Sequence, residues 1–410
     1  MSGREQVAKE AAAIEAQVIE WRRDFHEHPE LSNREFETAK KVAKHLTGLG
    51  LEVQTGVAHT GVVGVLDSGK PGPVVALRAD MDALPVTERV DVPFASKVRT
   101  EFLGQEVGVM HACGHDTHVA MLMGAAEILM KMKDQLSGKV VFIFQPAEEG
   151  APPGEEGGAE LMVKEGVLKD HKVDVIFGLH INSLTEVGKV KYKSGGTMAA
   201  VNRLVIKVKG KQTHGSTPWT GVDPIAASAQ IIQGLQHIIS RQTPLTKEAA
   251  VISIGKISGG VRSNIIPEEV EMIGTIRTLD VRMQKEIHKR IRRTATKIAE
   301  SVGATAEVTI EKGYPITYNN PDLTDQMLPT VKATAGEENV ILAPARTGAE
   351  DFSFFAQEVP GLFLFLGGMP KGKDMFEAAP HHTPDFYIDE SGMKLGVELL
   401  CNLTMDYMNN

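Results

Sequence analysis

Apolar residues recur at helical spacing over 4–25, where Val7, Ala11, Ile14, Val18 and Trp21 fall near one face. A second helical stretch over 35–49 stops at Gly50. Beyond it the pattern changes to short apolar runs. "GVVGVL" at 61–66, "PVVALRADMD" at 73–82, "GKVVFIFQPAEEG" at 138–150 and "VDVIFGLHIN" at 173–182 predict strands. Between them a helix rich in Ala, Met and Leu covers roughly 117–133. Strands alternating with helices predict an α/β domain whose mixed, mostly parallel sheet is flanked by helices.

The middle of the chain has a different texture. "VNRLVIKVKGK" at 201–211 alternates like a half-exposed strand, and 223–240 reads as a helix. "AAVISIGKISGG" and "EEVEMIGTIRTLD" read as strands, 282–303 as a basic amphipathic helix, and "TAEVTIEKGYP" as a last strand. That order, βαββαβ over 199–312, predicts an inserted ferredoxin-like domain. The α/β texture returns over 313–410, with a helix near 321–335, the strand "GLFLFLGG" and a final helix from 390. The expected organisation is one domain built from 1–198 and 313–410, interrupted by 199–312. A chain of 410 residues is long for a single core, which agrees with this division.

Charge and composition narrow the function. A net charge of -9 and a pI near 5.9 give no general affinity for nucleic acid or for anionic membranes. The basic helix alternates Glu with Lys and Arg and reads as a solvated face. No run of 18 or more apolar residues exists, and the N-terminal stretch lacks the apolar centre of a signal peptide. The expectation is a cytoplasmic protein without a membrane partner. Two cysteines, Cys113 and Cys401, make no disulfide framework, and Cys401 reads as core of the last helix.

The strands end on chemistry. "VVALRA" runs into Asp80 and Asp82, "VVFIFQPA" into Glu148 and Glu149, and "VDVIFGL" into His180. Sites in open α/β sheets form beyond the carboxyl ends of their strands. "HACGHDTHVA" at 111–120 adds Cys113 and His115 in a glycine-containing turn before a helix, and "AAPHHTPDF" adds His381 and His382. Thiolate, imidazole and carboxylate are ligands for Zn²⁺ and similar ions. Cys113, His115, Glu149, His180 and the C-terminal histidines are too many for one tetrahedral ion. They suit two divalent ions about 3.5 Å apart with a bridging water. Glu148 is then a natural general base, against the plainer reading of 148–149 as a solvated acidic turn. A nucleophilic Cys113 with His115 as its base is a second reading. Residues two apart in a tight turn are poorly placed for that, and it leaves the other donors unexplained. His26, His28, His45, His59, His171, His237 and His288 read as surface or packing residues, and His111 and His118 as structural neighbours of the site.

"RRDFHEHPELSNREFET", "LRADMDALPVTE", "HACGHDTHVAM", "FQPAEEG", "GLHIN", "GVDPI", "SNIIPEEVEMIGTIRT", "GAEDFSFF" and "HHTPDF" occur in this order. Over nearly the whole chain they resemble the N-acyl-amino-acid amidohydrolases of the aminoacylase–carboxypeptidase metallopeptidase family. That group includes hippurate hydrolases, auxin-conjugate hydrolases and thermophilic carboxypeptidases. The resemblance implies a dimetal catalytic domain and an inserted lid that also forms a homodimer, with further pairing into a tetramer left open. It implies Cys113, His115, Glu149, His180 and His382 as ligands of two divalent ions (Zn, or Mn, Co or Ni). His382 is chosen over His381 because the family's ligand stands two residues before the proline, here Pro384. It implies Glu148 as general base, Asp82 as the carboxylate that orients the site, and His214 as a lid histidine reaching a second copy's active site. Asn264 and Arg277 are implied to hold the substrate's carboxylate. The implied reaction is hydrolysis of an N-acyl-L-amino acid, with a carboxypeptidase or dipeptidase acting on short or N-blocked peptides as the alternative. Three departures bear on the acyl pocket. "QTHGS" stands where the family often reads Gly-Gly-His-Ala, and the segments "AEEGAPPGEEGGAELM" and "SKVRTEFLGQEVGVMHAC" are longer than usual.

Overall fold

A computed structural model describes residues 3–409. The chain forms two compact units. The first runs to Gly195 and resumes over Tyr318–Pro344 and from Phe354 onward.

Its centre is an eight-stranded sheet. In spatial order the strands are Glu52–Val57, Gly61–Asp67, Lys139–Gln145, Val74–Asp80, Val175–Glu186, Gly361–Met369, Val190–Tyr192 and Val340–Leu342. The four central strands run parallel. The two strands before them pair antiparallel, as does Val190–Tyr192 with Gly361–Met369. Parallel strands covered on both faces need apolar side chains at successive positions rather than alternate ones. Gly361–Met369 meets that need at every position, all of them buried. Helices Gly3–Glu27, His115–Lys131 and Met393–Asn409 pack on one another, and the last two also meet the sheet. Val7, Ala11, Ile14 and Val18 are the buried face of the first helix, and Cys401 is buried in the last.

The second unit comprises Gly196–Thr317 and Ala345–Ser353. Its antiparallel sheet has the order Ala250–Gly259, Glu269–Thr278, Ala200–Lys209, Thr305–Lys312. With helices Pro224–Gln242 and Val281–Ser301 this is the ferredoxin-like βαββαβ arrangement. Its core is separate, built around Leu204, Ile231, Ile276 and Ile291. Both helices start on aspartate caps: Asp223 accepts from the N–H groups of Ile225 and Ala226, and Asp280 from that of Met283. Residues 345–353, expected with the first domain, group with this unit. Main-chain bonds explain it, because the Ala199 N–H donates to the Arg346 and Gly348 carbonyls and the Arg346 N–H to that of Thr197.

Candidate metal centre

The site lies at the ends of two neighbouring strands of the first unit and beside the middle of a third, which the sequence predicts to end at His180. Val74–Asp80 delivers Asp80 and, two residues on, Asp82. Lys139–Gln145 leads into the turn that holds Glu148 and Glu149. Val175–Glu186 carries His180 in mid-strand, opposite Phe365. The fourth contribution is the turn Cys113–Gly114–His115 at the start of helix His115–Lys131. Gly114 is required there twice over. Its φ of 90° is left-handed, and a Cβ would meet Ile181 Cγ2 at 2.3 Å. The last comes from His382, a non-glycine residue at φ 63° whose N–H donates to the Ala112 carbonyl.

These side chains converge. Donor atoms of Cys113, His115 and His180, of Cys113, Glu149 and His382, and of His115, Glu148 and Glu149 form groups within 4.8 Å. Cys113 Sγ lies 3.5 Å from His180 Nε2, and Glu149 Oε1 lies 3.0 Å from His382 Nε2. The imidazoles are oriented from behind. His115 Nδ1 faces the Asp82 carbonyl at 2.9 Å, and His180 Nδ1 faces that of Ile181 at 2.6 Å. A carbonyl can only accept, so each Nδ1 carries a proton and Nε2 is the nitrogen turned to the site, where its lone pair would serve an ion. His115 Nε2 is fully buried without a hydrogen bond and faces Asp80 and Glu148 oxygens at 3.7 and 3.8 Å, a place that calls for a positive charge, either a proton or a metal ion.

The electrostatics favour the same ligand. Burial, then Glu149, Glu148 and Asp80, push the Cys113 thiol well above its ordinary value. Burial opposes charge on His115, yet Asp80 and Asp82 raise it to about 10. Burial, with His118 and His381 nearby, holds His180 well below the usual imidazole value. Carboxylates that hold a proton on His115 and on the Cys113 thiol mark a place for positive charge, and a divalent ion would supply it and displace both protons. The residues present therefore fit a metal centre. They do not fit a nucleophilic cysteine, whose thiolate needs an electropositive setting.

The two adjacent histidines have different partners. His381 Nε2 accepts from the Ser183 N–H at 3.2 Å, and its Nδ1 lies 3.2 Å from the Cys113 carbonyl. His381 Nδ1 also lies 3.6 Å from the Cys113 thiol, so its ring backs the cluster from the main chain, whereas His382 points at Glu149.

Asp82 is fully buried and organises the base turn. Its Oδ1 accepts from the Glu148 N–H and its Oδ2 from the Glu149 N–H and the Ser32 hydroxyl. His118, read from the sequence as a neighbour, has a definite task. Its Nδ1 donates to Asp80, and its Nε2 accepts from the Ile181 N–H beside His180. Asp80 is also paired with the fully buried Arg78. His26 is corrected from a surface or packing residue to a member of a buried ionic network with Arg22, Asp116 and Glu88. Both partners of His118, and Asp116 and Glu88 of His26, are distant in sequence; Arg22, one helical turn before His26, is the one local neighbour.

Beside Glu149 lies a cavity of about 430 Å³ whose walls include Leu31, Leu84, Pro85, Phe102 and Pro152. Phe102 belongs to the hairpin Arg99–Phe102/Gln105–Gly108, whose tip residues Leu103 and Gly104 are both left-handed. The hairpin and the proline loop are two segments the sequence marks as longer than usual.

The remaining candidates lie on the second unit. His214 pairs with Ile265 across a short ladder, and its Nδ1 accepts from the Ser216 N–H. The Gly215 N–H donates to the Asn264 carbonyl, and a Cβ at Gly215 would stand 3.0 Å from that backbone. Arg277 donates to the Thr275 hydroxyl and the Thr347 carbonyl.

Residues 76–406 match the model of peptidase family M20/M25/M40. The chain belongs to this family. It is 44% identical over 407 residues to thermostable carboxypeptidase 2 of Saccharolobus solfataricus, covering 99% of both chains. It is 37% identical over 394 residues to an N-acetylcysteine deacetylase of Bacillus subtilis, covering 96% of this chain and 97% of that one. Among solved structures it is similar to a dinuclear metal binding peptidase of the M20 family from Bacillus subtilis, with a TM-score of 0.82, 35% identity and coverage of 97% and 99%. The chain is thus a metallohydrolase of the M20 family, as its motifs imply. Among the described residues no helix is long and apolar enough to cross a membrane.

Proposed function

We propose that this chain is a dimetal amidohydrolase that cleaves N-acyl-L-amino acids to a carboxylic acid and a free amino acid. The observation that carries this reading is the buried His115 Nε2, which makes no hydrogen bond and shares one cluster with Glu148 and Glu149. Cys113, His115, Glu149, His180 and His382 would hold two divalent ions, zinc or manganese, cobalt or nickel. Such ions polarise a carbonyl and lower the pKa of water. Glu148, held by its N–H but not needed as a ligand, accepts the proton of the attacking water and returns it to the departing nitrogen. Asp82 fixes the direction of His115 and of the base turn. His214, from a second copy, donates to the oxyanion, while Asn264 and Arg277 hold the substrate's carboxylate. This makes the enzyme a homodimer, acting in the cytoplasm on small molecules. The apolar cavity beside Glu149 supports an acyl group larger than acetyl.

The carboxypeptidase name of a 44% identical relative supports the second reading, cleavage of short or N-blocked peptides. A panel of N-acetyl and N-benzoyl amino acids, dipeptides and N-blocked dipeptides separates the two. Preferred release of free acid from the acyl amino acids supports the amidohydrolase. Turnover confined to the peptides overturns it in favour of the peptidase.

A further inference from the structure

Glu35 is fully buried immediately before helix Phe36–Gly48, yet its side chain makes no cap bond to that helix. Its carboxylate looks the other way. Oε1 accepts from the Asn33 N–H at 3.0 Å and from the Ala147 N–H at 2.9 Å, and Oε2 accepts from the Thr60 hydroxyl at 2.6 Å. Asn33 and Ala147 have φ of 60° and 52°. Left-handed backbone is disfavoured for side chains with a Cβ, so something must hold each of them there. One carboxylate does both.

Ala147 is followed by Glu148 and Glu149, whose N–H groups go to Asp82. Three consecutive N–H groups of the turn are therefore claimed by two buried carboxylates. Asp82 alone leaves the entry to the turn unfixed. Release of the Ala147 N–H lets that residue return to ordinary backbone angles, and every atom of Glu148 is carried with it. Burial, then Asp82, raise the Glu35 carboxyl to about 8, so a neutral side chain with the same acceptor is compatible with the place.

We infer that Glu35 is a positioning residue for the hydrolytic reaction, which aims the general base Glu148 by holding Ala147 left-handed. It touches neither the ligand atoms nor a substrate. Its catalytic consequence rests on the function proposed above, but its structural claim does not.

The test compares E35L, which has the bulk without the acceptor, with E35Q, whose carbonyl keeps both N–H bonds. Amide hydrogen exchange is followed in the metal-free proteins. E35L is expected to exchange about ten times faster over 146–150, with strands 74–80 and 139–145 still protected, and E35Q to match the native protein. In steady-state hydrolysis of N-acetyl- and N-benzoyl-L-amino acids by the metal-loaded proteins, E35L should lose about 100-fold in kcat with KM nearly unchanged, and E35Q only a few-fold. If E35L does not fold, T60V removes one donor from the carboxylate and should show the same exchange pattern with about threefold lower kcat. Native exchange at the turn, an E35Q as impaired as E35L, or native kcat in a folded E35L or T60V overturns the inference. If the native protein hydrolyses no acyl amino acid, the proposed function fails while the exchange comparison still decides the role of Glu35.

Discussion

Asp82 grips His115 twice, through its main-chain carbonyl at 2.9 Å and its carboxylate Oδ1 at 3.2 Å from the same nitrogen. The same carboxylate holds the N–H groups of Glu148 and Glu149. A ligand's tautomer and the base turn are thereby fixed by one side chain. D82A is expected to weaken metal binding by about 10- to 100-fold, read by competition with a chromogenic chelator. Unchanged affinity would show that the carbonyl suffices.

The adjacent histidines make a contrast that is simple to measure. H382A removes the ring aimed at Glu149 and should lower the metal content of the purified protein. H381A removes a ring that binds the Ser183 and Cys113 main chain and backs the Cys113 thiol at 3.6 Å, and should leave the stoichiometry while lowering the melting temperature. The reverse pattern would exchange their roles.

Behind the site, Arg22 and Asp116 form an ion pair of 2.7 Å that is almost wholly buried. Burial alone raises the Asp116 carboxyl, but Arg22 and His26 outweigh it and hold it well below the usual carboxylate range. R22M leaves that charge without its main partner and is expected to cost about 3–5 kcal/mol, measured by denaturant unfolding.

A pH effect is expected from a histidine outside the ligand cluster. His45 packs edge-on against Trp21 at 4.7 Å and faces the Met123 carbonyl. Burial lowers its pKa, against the pull of that carbonyl and of Glu127. The unfolded chain then takes up a proton first as pH falls through about 6.5. Stability from this group is present above that pH, is lost below it, and levels off beneath the folded value. The melting temperature should fall more from about pH 8 to about pH 5 in the native protein than in H45Q. Equal falls would remove His45 from the account.

Much of this was legible in the sequence because the physics was local. Val74–Asp80 and Lys139–Gln145 read as strands because two-sided burial demands long apolar runs, and each leads to carboxylates of the site at or just beyond its end. The inserted unit was visible in the change to alternating strands. The ligand set rested on motif order rather than on spacing alone. Glu35 and His118 were not legible, because their roles depend on main-chain groups 112 and 63 residues away. A buried glutamate that grips a turn looks, in sequence, like any helix-start glutamate. The grouping of 345–353 was hidden for the same reason, since main-chain bonds to 197–199 leave no compositional trace.

The central claim is that Cys113, His115, Glu149, His180 and His382 hold two metal ions on which Glu148 depends. Its most direct test is the metal content of the purified protein by mass spectrometry, paired with acyl-amino-acid hydrolysis before and after chelation. About two divalent ions per chain are expected, with activity lost on chelation and restored by Zn²⁺, Mn²⁺ or Co²⁺. Full activity in metal-free protein would contradict it.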